Sequence, residues 1–112
     1  MTMPINEYNA TVNLIKNYLI ERNIVIDKFY LFGSRARNDF STDSDYDFMI
    51  VIKNDLKPSE KRAVIADIYR YLIKEGALIV MDLIIKPAKI FHSESREKGY
   101  LAHTVLTEGK EL

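Results

Sequence analysis

The sequence predicts a mixed α/β domain: a small sheet with helices packed mainly on one side. Three features predict it. Three short apolar runs, "KFYLF", "YDFMIVI" and "LIVMDLII", have strand character. Two longer segments repeat apolar residues at helical spacing. Gly, Pro and Asn fall between these blocks as punctuation.

In chain order, Asn6 is a candidate N-cap. Behind it Tyr8, Val12, Ile15 and Leu19 recur at helical spacing, with Leu14 and Tyr18 beside them, so a helix is expected from about 7 to 22. Asn23 suits a left-handed helix end. Lys28 to Phe32 reads as a short strand stopped by Gly33. Residues 34 to 43 form a turn and loop, with a helical turn near 35 to 38. Tyr46 to Ile52 is a second strand, apolar on both faces at its end and therefore central. Ser59 precedes a helix from about 60 to 75, built on Ala63, Ile65, Ala66, Ile68, Tyr69 and Leu72 and capped by Gly76. Leu78 to Ile85 is a third strand ended by Pro87. Phe91 to Leu106 holds a further helix weakened by Gly99, and "TEGKEL" turns into a small terminal strand.

The 112 residues suit one domain, 1–112, with a single core. Sixteen basic residues balance sixteen acidic ones, which gives no strong nucleic-acid signal. With no cysteine there is no thiolate nucleophile and no Cys-based zinc site. The apolar runs are too short to span a membrane, and "MTMPINEYNA" lacks the pattern of a signal peptide, so a cytoplasmic location is the expectation. His92 and His103 have no spacing partner and read as surface or packing residues; the tyrosine stripe with Tyr18 and Tyr69 reads as core.

The chemistry concentrates in "FGSRARNDFSTDSDYDF", which joins a Gly-Ser turn and two arginines to Asp43, Asp45 and Asp47. Side chains alternate along a strand, so Asp45 and Asp47 point the same way, with Cα atoms about 6.6 Å apart. Asp82 interrupts an apolar strand, where a lone carboxylate is costly. If the third strand pairs with the second, Asp82 lies about 4.8 Å to one side of that row. A divalent cation would relieve the repulsion, and hard oxygen ligands suit magnesium. Two ions about 3.5–4 Å apart would fit the same triangle. Taken singly, each aspartate is more simply a surface residue; it is the combination with Asp82 that calls for a ligand. Gly33 after a strand lets a ligand approach the backbone. Ser34 offers a hydroxyl and an N–H, and Arg35 and Arg37 offer planar positive charge suited to phosphate. Alone, the turn would be an ordinary strand end with solvated arginines.

Gly33-Ser34, ten residues, then Asp45-x-Asp47 resembles the G-S-x10-D-x-D signature of the DNA polymerase β-like nucleotidyltransferases, and the chain looks like their minimal members, often called MNT proteins. The resemblance covers essentially the whole chain. It implies a polymerase β palm-like fold and transfer of a nucleoside monophosphate, AMP from ATP, to an acceptor hydroxyl. It implies that Gly33 and Ser34, with Arg35 and Arg37 beside them, bind the phosphates. Asp45, Asp47 and Asp82 would be catalytic and would hold two Mg2+ ions, for which Mn2+ could substitute. Minimal members are commonly antitoxins of HEPN-domain ribonuclease toxins, so a HEPN toxin is the expected partner and acceptor. Parts missing from so small a chain would come from that partner or from a second copy in a homo-oligomer. The rival reading is an antitoxin that acts by binding alone. The family often has Gly where this chain has Asn38, and Asn is the next-best residue for a left-handed turn. A haloacid-dehalogenase phosphatase would need a longer chain and Thr or Val at Phe48. A Walker NTPase would need a G-K-[ST] turn, and a D-x-D glycosyltransferase a larger domain.

Overall fold

In a computed structural model of the chain, which describes residues 4–39, 41, 44–77 and 79–112, nine elements alternate as the patterning requires. They are α1 (Pro4–Glu21), β1 (Ile26–Phe32), α2 (Ser34–Arg37), β2 (Tyr46–Ile52), α3 (Pro58–Lys74), β3 (Met81–Pro87), α4 (Ala88–Ser95), α5 (Leu101–Glu108) and β4 (Lys110–Glu111). Asp43 and Leu78 lie outside the described residues. No described helix is long and apolar enough to cross a membrane.

Several boundaries move for physical reasons. Asn6 falls inside α1 rather than capping it. Asn23 ends that helix region at φ 60, in the left-handed conformation expected. Strand β1 starts two residues early because Ile26 pairs with Ile52 across an irregularity before Lys28. Helix α3 starts at Pro58, not after Ser59: proline at the first position loses no hydrogen bond, and the Glu60 carboxylate accepts the Lys57 N–H at 2.9 Å. Strand β3 begins at Met81, opposite Tyr46 at the start of β2, rather than at residue 78. The helix expected over 91–106 is two helices, parted at Gly99 with φ 103.

The sheet runs β3-β2-β1-β4. β2 lies antiparallel to β1 and parallel to β3, with α3 as the crossover that a parallel pair needs. β2 is central, as its apolar run predicted, and Phe48 to Ile52 are all buried. Alternation then sorts the core into two layers. Phe29, Leu31, Phe48, Ile50, Leu83 and Ile85 face the long helices α1 and α3. Tyr30, Met49 and Val51 face Phe91, Ala102 and Val105 of the short helices α4 and α5. The two long helices thus account for the expected helical side, while the opposite face is also partly covered. The part of that second face left open at the β2 and β3 N-terminal ends carries the acidic residues.

Burial separates two neighbouring isoleucines of α3. Ile68 is fully buried, whereas Ile73 is 69% exposed. Ile68→Ala should cost about 2–5 kcal/mol in denaturant unfolding. Ile73→Ala should stay within about 0.5 kcal/mol. Equal losses would mean that α3 does not seat on the sheet through this face.

Candidate active site

The site is assembled by register. Tyr46 pairs with Met81 and Asp47 with Asp82, so the two carboxylates stand side by side on adjacent strands. Met81 and Leu83 point into the core beneath α3, and this turns Asp82 to the opposite face, where it is exposed. That exposure makes an aspartate inside an apolar strand less costly than the sequence alone suggested. Asp45 lies just before β2 and is exposed. Phe32, the last residue of β1, pairs with Asp47 on the other flank.

Gly33 follows directly, at φ 75, a backbone conformation that side-chain-bearing residues rarely adopt. The Asp47 carboxylate occupies the space where a Cβ on Gly33 would go: such an atom would collide with Oδ2 and lie 3.2 Å from the carboxyl carbon. Glycine is required here twice over, by torsion and by room. The turn then enters α2, whose Ala36 and Arg37 amides both bond back to the Gly33 carbonyl, at 3.1 and 3.2 Å. Asn38 closes α2 at φ 63, the left-handed conformation in which it replaces glycine.

Electrostatics bind these residues into one unit. The Asp47 carboxyl is held above its ordinary value of 3.8, chiefly by burial, then by Asp82 and Asp45, with Arg37 pulling the other way. Arg37 therefore lies in the field of the carboxylates, where it also pairs with Asp39 at 3.1 Å and reaches Glu108 of α5 at 3.9 Å. Arg35 goes elsewhere. Its Nε and Nη2 donate to the Ser44 carbonyl at 3.2 and 2.9 Å, and its guanidinium lies 4.3 Å from the centre of the Tyr46 ring. Tyr46 packs with the α1–α3 layer, on the sheet face opposite Asp47. The two arginines, alike in sequence, thus serve opposite faces.

Hard oxygen donors are the right chemistry for a divalent cation. Among the described residues, however, no three acidic or imidazole side chains already converge to hold one. A groove of about 500 Å³ lies at the far end of the sheet, lined by residues such as Ile20, Val25 and Lys28, and includes none of the predicted site residues. Three participants escaped the sequence reading. Glu108 is distant in sequence, and Tyr46 is only the residue between two aspartates. Tyr69, read as core, is half-buried and donates its hydroxyl to the Met81 carbonyl at 3.0 Å. Burial, then Asp82, raises the Tyr69 phenol above its usual range. Its position in the α3 apolar stripe gave no sign of this. Tyr18, in contrast, is core as expected.

The raised Asp47 carboxyl has a stability consequence with a definite sign. Folded protein holds that proton more tightly than unfolded chain. The cost of ionised Asp47 is therefore complete above the raised folded value and absent below 3.8. Asp47→Asn should raise the melting temperature at neutral pH, and the gain should fade as pH falls towards 3.8. Thermal melts of both proteins across that range test it; a gain independent of pH would remove the electrostatic explanation.

Known proteins resemble the chain in sequence and in fold. Over 54 residues the chain is 39% identical to a Methanocaldococcus jannaschii protein that carries the provisional name protein adenylyltransferase. The match covers 48% of this chain and 54% of that protein, so the chain spans about half the length of this curated relative. A toxin–antitoxin crystallised with AMP-PNP superimposes with a TM-score of 0.57 at 21% identity, covering 88% of this chain and 69% of that one. Two mutants of the MntA–HpeT toxin–antitoxin give TM-scores of 0.53 and 0.56 at 17% and 20% identity. They cover 92% and 89% of this chain and 69% of each of theirs. At such identities the likeness is one of fold. The family model described as Polymerase beta, Nucleotidyltransferase matches residues 13–112, across the Gly33 turn and all three aspartates, and the chain belongs to that family.

Proposed function

We propose that the chain is a nucleotidyltransferase that moves AMP from ATP to a hydroxyl on a partner protein, a HEPN-type toxin, and silences it as an antitoxin. The observation that carries the reading is the packing of the Asp47 carboxylate against Gly33, with Asp82 in register beside it. The contact supports reading the Gly33–Ser34 turn and the paired carboxylates as parts of one site. The nucleotide in one toxin–antitoxin crystal, and the protein adenylyltransferase name of the curated relative, support the direction.

In this proposal the Gly33–Ser34 turn meets the triphosphate, the Ser34 hydroxyl and amide hydrogen-bond its oxygens, and Arg37 supplies positive charge. Arg37 suits that task because its pairs with Asp39 and Glu108 are exposed and weak, so they can yield to a phosphate. The acceptor oxygen bonds to the α-phosphorus as the bond to the bridging oxygen breaks. Pyrophosphate leaves, and the hydroxyl proton passes to the carboxylate pair. Asp45, Asp47 and Asp82 would hold two Mg2+ ions, or Mn2+, which when bound acidify the acceptor and neutralise the leaving group. In this proposal the nucleotide phosphates complete the coordination of the ions. The rival reading is an antitoxin that binds its partner without modifying it.

Calorimetry with manganese and AMP-PNP should show binding by the wild type and its loss in Asp45→Asn/Asp47→Asn. Ser34→Ala removes one hydrogen bond to a charged group and should weaken nucleotide binding about ten- to a hundredfold. Undiminished affinity in both variants would dissolve the site assignment.

Labelling from ATP onto the co-purified partner separates the two readings. Asp82→Asn should slow it by about a hundredfold, equivalent to about 2.7 kcal/mol of transition-state stabilisation. If Asp82→Asn still protects cells from the partner, and mass spectrometry finds no added nucleotide on it, the binding antitoxin stands instead.

A further inference from the structure

The transfer mechanism leaves Arg35 without a task. It follows Ser34 directly, yet its side chain crosses to the back of the sheet. There its guanidinium is fixed from two directions: the Ser44 carbonyl accepts from Nε and Nη2, and the Tyr46 ring lies against its plane. Tyr46 is itself anchored. Its ring stacks on Tyr8 of α1 at 5.1 Å between centroids, and Phe48 lies 6.2 Å away. A continuous path therefore runs from α1 through Tyr8 and Tyr46 to Arg35. Ser44 immediately precedes Asp45, and Tyr46 separates Asp45 from Asp47. Arg35 thus ties the residue after Ser34 to residues on both sides of Asp45.

We propose that Arg35 is a positioning residue: it clamps the Gly33–Ser34 turn to the Asp45–Asp47 stretch from behind the sheet, through the Ser44 carbonyl and the Tyr46 ring. The inference rests on the nucleotidyltransferase reading, because it assigns the clamp the job of holding phosphate-binding and acidic residues in one geometry. Small displacements of such groups are expensive: a misplacement of about 1 Å can cost about a hundredfold in rate. A planar fork that both donates in pairs and stacks on a ring is a guanidinium property that an ammonium does not share. Asn38 closes α2 in the left-handed conformation, and Arg35 ties the start of α2 to Ser44 and Tyr46.

A clamp and a phosphate ligand leave different signatures. For a clamp, Arg35→Ala and Tyr46→Leu should each lower kcat about tenfold, with KM for ATP within about threefold. The double variant should be no worse than the more severe single one, since both break the same connection. Arg35→Lys should resemble Arg35→Ala, and Tyr46→Phe, which keeps the ring, should resemble wild type. Hydrogen exchange supplies a readout that does not depend on activity: the Tyr46 amide, bonded to the Val80 carbonyl at 3.0 Å, should exchange about tenfold faster in Arg35→Ala and Tyr46→Leu. A KM raised tenfold or more by Arg35→Ala, with Tyr46→Leu behaving as wild type, would overturn the clamp in favour of direct phosphate binding. If wild type neither binds AMP-PNP nor transfers nucleotide, the enzyme reading fails by itself. The exchange comparison then decides the clamp: equal protection in wild type, Arg35→Ala and Arg35→Lys overturns it.

Discussion

The parallel pairing of β2 with β3 is the interaction on which everything else depends. It forces a crossover, which α3 supplies, and it sets Asp47 opposite Asp82. Nothing polar needs to choose that register. Met81, Leu83 and Ile85 must face α3, as must Phe48, Ile50 and Ile52. A slip of one residue would turn Asp82 into that core and Met81 out of it. The hydrophobic layer therefore selects the register, and the register builds the acidic site as a by-product of burial on the other face.

Much of this was legible because the strongest signals are local. β2 was bounded correctly since its apolar run is continuous and ends where charge begins. The positive φ at Asn23 followed from an Asn at a helix end, and that at Asn38 from an Asn where the family often has Gly. The ends of α1, α3 and β3 were less legible because they depend on partners. β3 starts opposite the first residue of β2, and α3 starts at a proline whose missing N–H matters only once its position in the helix is known. The break at Gly99 is a tertiary decision too: α4 and α5 fold back on each other, with His103 Nδ1 3.0 Å from the Ser95 carbonyl oxygen.

The site divides in the same way. The D-x-D spacing brought Asp45 into the field of Asp47, although Asp45 lies just outside β2, and the pairing of two predicted strands set Asp82 beside Asp47. The arginines could not be separated like this. Arg35 and Arg37 are two residues apart on one helical turn, about 200° around the axis, so they leave it in opposite directions. Which one meets the carboxylates depends on how α2 docks, and no pattern in "GSRARN" encodes that.

Their opposite directions also divide the labour electrostatically. Burial, then the charges of Asp82 and Asp45, hold the Asp47 carboxyl above its ordinary range. Only mobile positive charge can answer that repulsion without filling the space a ligand needs. Arg37 fits, because its partners Asp39 and Glu108 are exposed and hold it loosely. Arg35 is held differently, with the Ser44 carbonyl and the Tyr46 ring against its guanidinium. An arginine in each position would be redundant if both met phosphate. In the roles proposed for them, Arg37 would move with the ligand while Arg35 holds the turn against the strand.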